Sequence, residues 1–249
     1  MRPLALVTGG GRRLGAHIAA RLGEAGYDLA LQSRSGADPE PWLSEALGAA
    51  GYACFTADLA DPDAVAALVP AVEAHCGRPV DLLVNCASRF AAFETADDIY
   101  AAVVDHMAVN LAAPVALIAA LAARAGPGGA AVVNILDQRI ANPPVDQPAY
   151  TLSKQALAEA TRTLAVAHAP RLRVNGVAPG LVIATPDYTP GQMDRIGAAM
   201  PLGRNAIPEE VADTVLWLAR ARSVTGQVVF VDGGAHLKSF ERDFVHIAR

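Results

Sequence analysis

Cysteine is scarce in this chain of 249 residues: Cys54, Cys76 and Cys86 are three in all, an odd number, widely spaced. That set excludes a disulfide framework, has no metal-ligand spacing and fits a reducing cytoplasm. Aromatic residues make up only 5%, so small and aliphatic side chains must fill the interior. Positive charge is also in short supply. Twenty Lys and Arg against 25 Asp and Glu give a formal charge of −5, which argues against a nucleic-acid binder and against a basic membrane-facing surface. Long hydrophobic runs are absent: the most apolar, LAAPVALIAALAARA (111–125), is too short to span a bilayer and contains Pro114. It is expected to be a buried or subunit-interface helix. The N-terminus, MRPLALVTGG, enters a strand-like run at once and lacks a cleavable signal pattern. The six histidines share no spacing that suggests a metal, and none is expected.

What is present is alternation. Apolar runs at 3–8, 27–33, 52–58, 80–87, 130–136, 173–179 and 227–232 are separated by helical stretches. The helices are expected near 14–25, 40–50, 61–76, 96–124, around Tyr150 and near 208–221. Short continuous apolar strands joined through helices indicate a parallel sheet buried on both faces. Right-handed crossovers then give a doubly wound α/β fold with helices on each side. With length for one large core and no linker or repeat, residues 1–249 read as one domain. In such folds ligands bind beyond the carboxyl ends of the strands. Thr8, Ser33, Asp58, Asn85, Asp137 and Pro179 are therefore expected to face one crevice.

The first strand runs into TGGGRRLG (8–15), where glycines let the backbone turn tightly ahead of a helix. Backbone N–H groups at a helix start make an anion site. The G-x-G-x-x-G fingerprint fails because Leu14 stands where its third glycine belongs; T-G-x-x-x-R-x-G fits, with Thr8, Gly9, Arg13 and Gly15. The second strand ends in Ser33, Arg34 and Ser35 with no acid for a ribose 2′-hydroxyl. Arg12 and Arg34 could instead hold a 2′-phosphate, which favours NADP(H); both could equally be solvated surface charges. Tyr150 and Lys154 are four residues apart and share a helix face. A nearby ammonium favours the phenolate, so it is expected to lower the tyrosine pKa towards the working range.

Together TGGGRRLG, Asp58–Leu59, NCAS (85–88), Asn110, YTLSK (150–154), PG (179–180) and VDGG (231–234) resemble the short-chain dehydrogenase/reductase family, over the whole chain. The resemblance implies a Rossmann-type sheet of about seven strands and a nicotinamide cofactor. It implies Tyr150 as proton donor, Lys154 on the nicotinamide ribose, and Asn110 holding a relay water. It implies a cofactor surface built from Gly9, Arg12, Arg13, Leu14, Ser33, Arg34, Ser35, Asp58, Leu59, Asn85, Ala87, Ser88, Tyr150, Lys154, Pro179 and Gly180. Two positions depart from the family pattern: Arg13 replaces a glycine, and Asp137 replaces the catalytic serine 13 residues before the tyrosine. Both occur in the pteridine reductase and dihydromonapterin reductase-like branch, which the chain resembles also in Asn85-Cys86-Ala87-Ser88-Arg89-Phe90.

That branch implies an NADPH-dependent reductase of a pterin, of dihydropterin, dihydromonapterin or dihydrofolate type. A flat pterin could stack on Phe90, Arg13 could reach it, and Asp137 with Tyr150 could pass a proton to a ring nitrogen. The plainer readings are core packing for Phe90 and a loop acid for Asp137. Asp146 and Asp187 are expected to be loop acids. The alternatives are a reductase of another carbonyl or imine and a non-catalytic dinucleotide sensor. Residues 181–204 are expected to form a substrate lid, and residues 235–249 to pack on a neighbouring subunit of a homotetramer.

Overall fold

The apolar runs fold into seven parallel strands in the order β3-β2-β1-β4-β5-β6-β7. This is a computed structural model, and it describes residues 2–48, 51–90, 98–240 and 242–248. The strands are β1 (Leu4–Thr8), β2 (Asp28–Ser33), β3 (Tyr52–Thr56), β4 (Leu82–Asn85), β5 (Ala130–Ile135), β6 (Leu172–Pro179) and β7 (Val228–Val231). The helices are α1 (Arg13–Glu24), α2 (Pro41–Leu47), α3 (Pro62–Cys76), α4 (Ile99–Met107), α5 (Ala113–Arg124), α6 (Pro148–Ala167), α7 (Gln192–Ala199) and α8 (Pro208–Arg220). Residues 49, 50, 96 and 97 of the expected helices lie outside the described residues.

Period-2 alternation divides each strand between two cores. Ala5 and Val7 of β1 point to the layer of α1 and α8, where Ile18, Leu22, Val211 and Val215 are fully buried. Leu4 and Leu6 point the other way, onto Val69 and Val72 of α3 and Leu117, Ile118 and Leu121 of α5. Every residue of β1, β4 and β5 is buried, which is why these strands read as unbroken apolar runs.

The segment from Ile99 to Arg124 is one continuous helical path of 26 residues. It is longer than the apolar run in the sequence indicates, and long and apolar enough to cross a membrane. The complete burial of Leu117, Ile118 and Leu121 against the sheet makes it a core helix. Between α4 and α5 it widens into a single π turn, Ala108–Ala112, around buried Asn110, a distortion that often marks functional positions.

The strand order reverses between β1 and β4, which pair in register at Thr8 and Asn85. That switch point opens the crevice beyond the carboxyl ends. Side chains stitch its floor: Thr8 Oγ1 accepts the N–H groups of Cys86 and Ala87, both at 3.0 Å. Gln32 accepts the Gly9 N–H at 3.0 Å and donates to the Ala57 carbonyl at 2.7 Å.

Candidate active site

The phosphate loop owes its shape to close approach. Gly9 has φ of +64°, and a Cβ at Gly15 would lie 2.1 Å from the Gly9 carbonyl oxygen, so any larger residue at 15 would force loop and helix apart. Arg13 sits at φ +49°, the left-handed region that the family's usual glycine would occupy without strain. For arginine it costs roughly 1–2 kcal/mol, a strain of the kind retained at functional sites; here it aims a guanidinium into the crevice.

The start of α1 holds an anion already. Glu40 Oε1 accepts the Arg13 N–H at 2.9 Å, and that bond is the main reason its carboxyl sits below the usual carboxylate range. Neither Leu14 nor Gly15 gives its N–H to another described residue. The donor set therefore suits a dinucleotide phosphate. Arg12 and Arg34 are exposed and make no ion pair among the described residues, beside Ser33 and Ser35.

The groups expected to be catalytic converge from β5 and α6. Asp137 lies two residues beyond β5 and caps a 3-10 turn, Gln138–Ile140, through Oδ1, which accepts the Arg139 N–H at 2.9 Å. Its other oxygen accepts the Tyr150 hydroxyl at 3.0 Å. Pro148 starts α6 at its first turn, and one turn beyond Tyr150 Lys154 Nζ donates to the Ile135 carbonyl at 2.9 Å. Asp137 is thus no ordinary loop acid: it is bonded to the tyrosine. Phe90, 48% exposed, presents its ring edge-on to Tyr150 at 4.8 Å and is not plain core packing.

The electrostatics differ from the sequence-based expectation. Tyr150 is raised well above its ordinary value by burial and then by Asp137, with Arg139 opposing. Lys154 does not bring it down. Burial lowers Lys154 itself to about 8. A tyrosine held protonated suits a donor in a reduction, with the nearby cations stabilising the phenolate once the proton leaves. The depressed lysine carries a stability signature. Its folded pKa lies below its unfolded value, so the unfolded chain binds more protons from about pH 8 to about 10.5 and stability rises with pH through that window. Wild type should gain up to about 3 kcal/mol relative to Lys154→Met between pH 7 and pH 10 in urea denaturation. Parallel curves for the two proteins would contradict a Lys154 whose pKa burial has lowered.

Several expected residues take structural posts. The two Nδ2 hydrogens of Asn110 go to the Arg89 carbonyl and Ser153 Oγ, each at 2.9 Å, and its oxygen accepts the Arg89 N–H at 2.6 Å. The carboxamide is therefore occupied in holding the Ser88–Arg89 segment. The Asn85 carboxamide lies in the sheet interior and donates to Asn134 at 2.8 Å, away from the crevice. Asp58 closes its own turn onto the Ala60 N–H at 2.9 Å beyond β3, with Leu59 buried behind it. Ala87 abuts Gly9, and Gly180, at the end of β6 after Pro179, packs against Asp232.

A cavity of about 330 Å³ joins Arg13, Phe90, Asp137 and Gly180. Its outer wall includes Leu181, Ile183, Asp187 and Tyr188 from the expected lid. Burial, with Asp243 next, raises Tyr188 above its ordinary value. The remaining wall was not foreseen. Asp243 to His246 line the same cavity, so this part of the C-terminal segment packs on its own chain rather than only on a neighbour. Asp146, expected to be a loop acid, accepts the Asp243 N–H through both oxygens at 3.0 Å. Arg139 and Gln147 also line it; the one available signal was an arginine two residues after Asp137, and nothing in sequence ties it to Asp243.

A family model described as enoyl-(acyl carrier protein) reductase matches residues 11–236. The chain belongs to the short-chain dehydrogenase/reductase family. As a member it is an oxidoreductase with the family's parallel sheet. FolM alternative dihydrofolate reductase 1 from Brucella canis, solved in complex with NADP, is 35% identical with a TM-score of 0.88, covering 97% of this chain and 96% of that one. Pteridine reductase 1 of Leishmania tarentolae is 31% identical across 94% of this chain and 96% of its own length. Galactitol 2-dehydrogenase of Cereibacter sphaeroides is 36% identical, covering 92% and 93% respectively.

Proposed function

We propose that this short-chain reductase transfers hydride from NADPH to a pterin-type ring, dihydropterin, dihydromonapterin or dihydrofolate, with Asp137 and Tyr150 delivering the proton. The observation that carries the reading is the 3.0 Å bond between the buried Tyr150 hydroxyl and the Asp137 carboxylate, Asp137 lining a cavity edged by Phe90. When bound, the nicotinamide supplies the hydride. The residues of this chain bind the ring and move the proton. Phe90 offers an aromatic edge to a flat heterocycle, and Arg13 a cation at the same opening. Tyr150 gives its proton through the shared bond to the Asp137 carboxylate, and Asp137 passes it to a ring nitrogen as the adjacent carbon is reduced, leaving a Tyr150 phenolate that water reprotonates. Lys154 and Arg139 balance the charge left behind. A serine in this position would orient a carbonyl; a carboxyl group can carry the proton itself.

NADP rather than NAD is supported by exposed Arg12 and Arg34 and by the NADP held in the Brucella relatives. Arg34→Ala should raise KM for NADPH by about tenfold, the value of one charge-assisted phosphate contact, with KM for NADH unchanged. Equal effects on both would remove the 2′-phosphate role. A cytoplasmic homotetramer belongs to the same proposal. The free thiols support the compartment. Tyr100 and Val104 on α4 and Leu152 and Val166 on α6 are exposed apolar side chains that a subunit contact would cover, and light scattering after gel filtration tests the assembly.

The identity to galactitol 2-dehydrogenase favours a second reading, reduction of another carbonyl or imine. NADPH oxidation against dihydrobiopterin, dihydromonapterin, dihydrofolate and a panel of ketones decides between them. Rapid turnover of ketones with none of any pterin would end the pterin reading.

A further inference from the structure

A guanidinium at the catalytic pair is the feature that proton delivery by Asp137 and Tyr150 leaves unexplained. Arg139 is 6% exposed, and each of its nitrogens lies near an oxygen of a different side chain. Nη1 donates to Gln147 Oε1 at 2.9 Å, Nη2 to the Asp243 carboxylate, and Nε lies 3.4 Å from Asp137 Oδ1. Nε makes no directed hydrogen bond, so what reaches Asp137 there is charge. The guanidinium carbon stands 4.9 Å from the Tyr150 ring centre. One cation is thus divided between two carboxylates, one catalytic and one on the C-terminal tail.

The position of Asp243 is set by more than that ion pair. Asp146 holds its N–H, its own Oδ1 caps the Val245 N–H at 2.9 Å, and Gln192 of α7 donates to the Val245 and Ile247 carbonyls at 3.0 and 2.7 Å. Tail and lid therefore fix a second negative charge on Arg139, at Nη2, beside the one that Asp137 brings to Nε.

We infer that Arg139 is a positioning residue for proton delivery, and that Asp243 sets how much of its charge reaches Asp137 and Tyr150. The inference rests on the reading of Asp137 and Tyr150 as the proton donors. Other ionisable groups face the pair: His106 from α4, Lys154 from α6, Arg13 from the phosphate loop, and Asp187 and Tyr188 from the lid. Arg139 is the one whose charge a second buried carboxylate shares. With Asp243 neutralised, the whole guanidinium charge acts on Asp137 and Tyr150, and the pair gives up its proton more readily. With Arg139 neutralised, the pair holds its proton more tightly. A clamp that only ties down the tail would shift neither.

The test is the pH dependence of kcat for NADPH oxidation with 7,8-dihydrobiopterin, in wild type, Asp243→Asn, Arg139→Met and Arg139→Lys. NADPH affinity and thermal midpoint are measured alongside. The alkaline limb, reported as a property of the coupled pair, should move down by about one pH unit in Asp243→Asn and up by about one in Arg139→Met. NADPH affinity should stay within about twofold of wild type. Arg139→Lys should restore the wild-type limb with lower kcat, since an ammonium keeps the charge but cannot span three partners. Limbs unmoved in every variant, with only thermal midpoints lowered, would reduce Arg139 to a tail anchor and overturn the inference. If Arg139→Met does not fold, Asp243→Asn and Arg139→Lys carry the same decision. Asp137→Asn in the same series separates the two ideas. Its full turnover would sink the proton-donor reading itself, whereas an inactive Asp137→Asn beside an unshifted Asp243→Asn would sink the charge-sharing inference alone.

Discussion

Tyr150→Phe lowers kcat by about 10²–10⁴-fold while NADPH binds almost as in wild type, the range expected when a positioned acid is removed. Phenylalanine fills the same space beside Phe90 and His106, whose rings stand edge-on to Tyr150, so packing is kept. What goes is one hydroxyl, the group that donates to Asp137 at 3.0 Å. Asp137 keeps the Arg139 N–H and the guanidinium and is not left alone, so the cost in folding stability should be within about 1–2 kcal/mol. Steady-state turnover, a melting curve and NADPH fluorescence titration check the three parts separately. Because burial and Asp137 hold the tyrosine above its ordinary value, the phenol stays protonated through neutral pH. A kcat within about threefold of wild type would place the proton source elsewhere.

What the sequence revealed of this site depends on whether a residue's role is local. Tyr150 and Lys154 share a helix face by spacing alone, and Asp137 follows directly from where β5 stops. The glycine-rich loop announces an anion site because its geometry is made within eight residues (8–15). The fold followed in the same way, from apolar runs of strand length separated by helices. Roles set by long-range packing were not legible. Arg139 and Asp243 meet across a separation of 104 residues, and the path of the tail decides that meeting. The direction of the Tyr150 shift depends on burial, which spacing does not show, so the expected help from Lys154 was replaced by desolvation. Asn85 and Asn110 sit where their motifs put them, yet their carboxamides face inward because neighbours on β5 and α6 accept their N–H groups.

Asp137 offers the sharper experiment, since two substitutions there separate charge from chemistry. Asp137→Asn preserves shape and still accepts the Tyr150 hydroxyl, but it cannot carry a proton to a ring nitrogen. It should cost pterin reduction about 10²–10⁴-fold in kcat. It also leaves Asp243 as the one carboxylate on Arg139, so a melting curve must accompany the rates; a loss of about 1–3 kcal/mol is expected from weakening a buried charge pairing that retains one partner. Asp137→Ser introduces the group that the wider family uses to orient a carbonyl oxygen. It removes a carboxylate that, when ionised, would repel developing oxyanion charge across the cavity. The ratio of kcat/KM for ketones to that for pterins should therefore rise by about 10²-fold or more, equivalent to roughly 3 kcal/mol of discrimination. Pterin turnover that survives the serine unchanged would show that Asp137 has no part in choosing the substrate, and the specificity would then lie with Phe90, Arg13 and the lid.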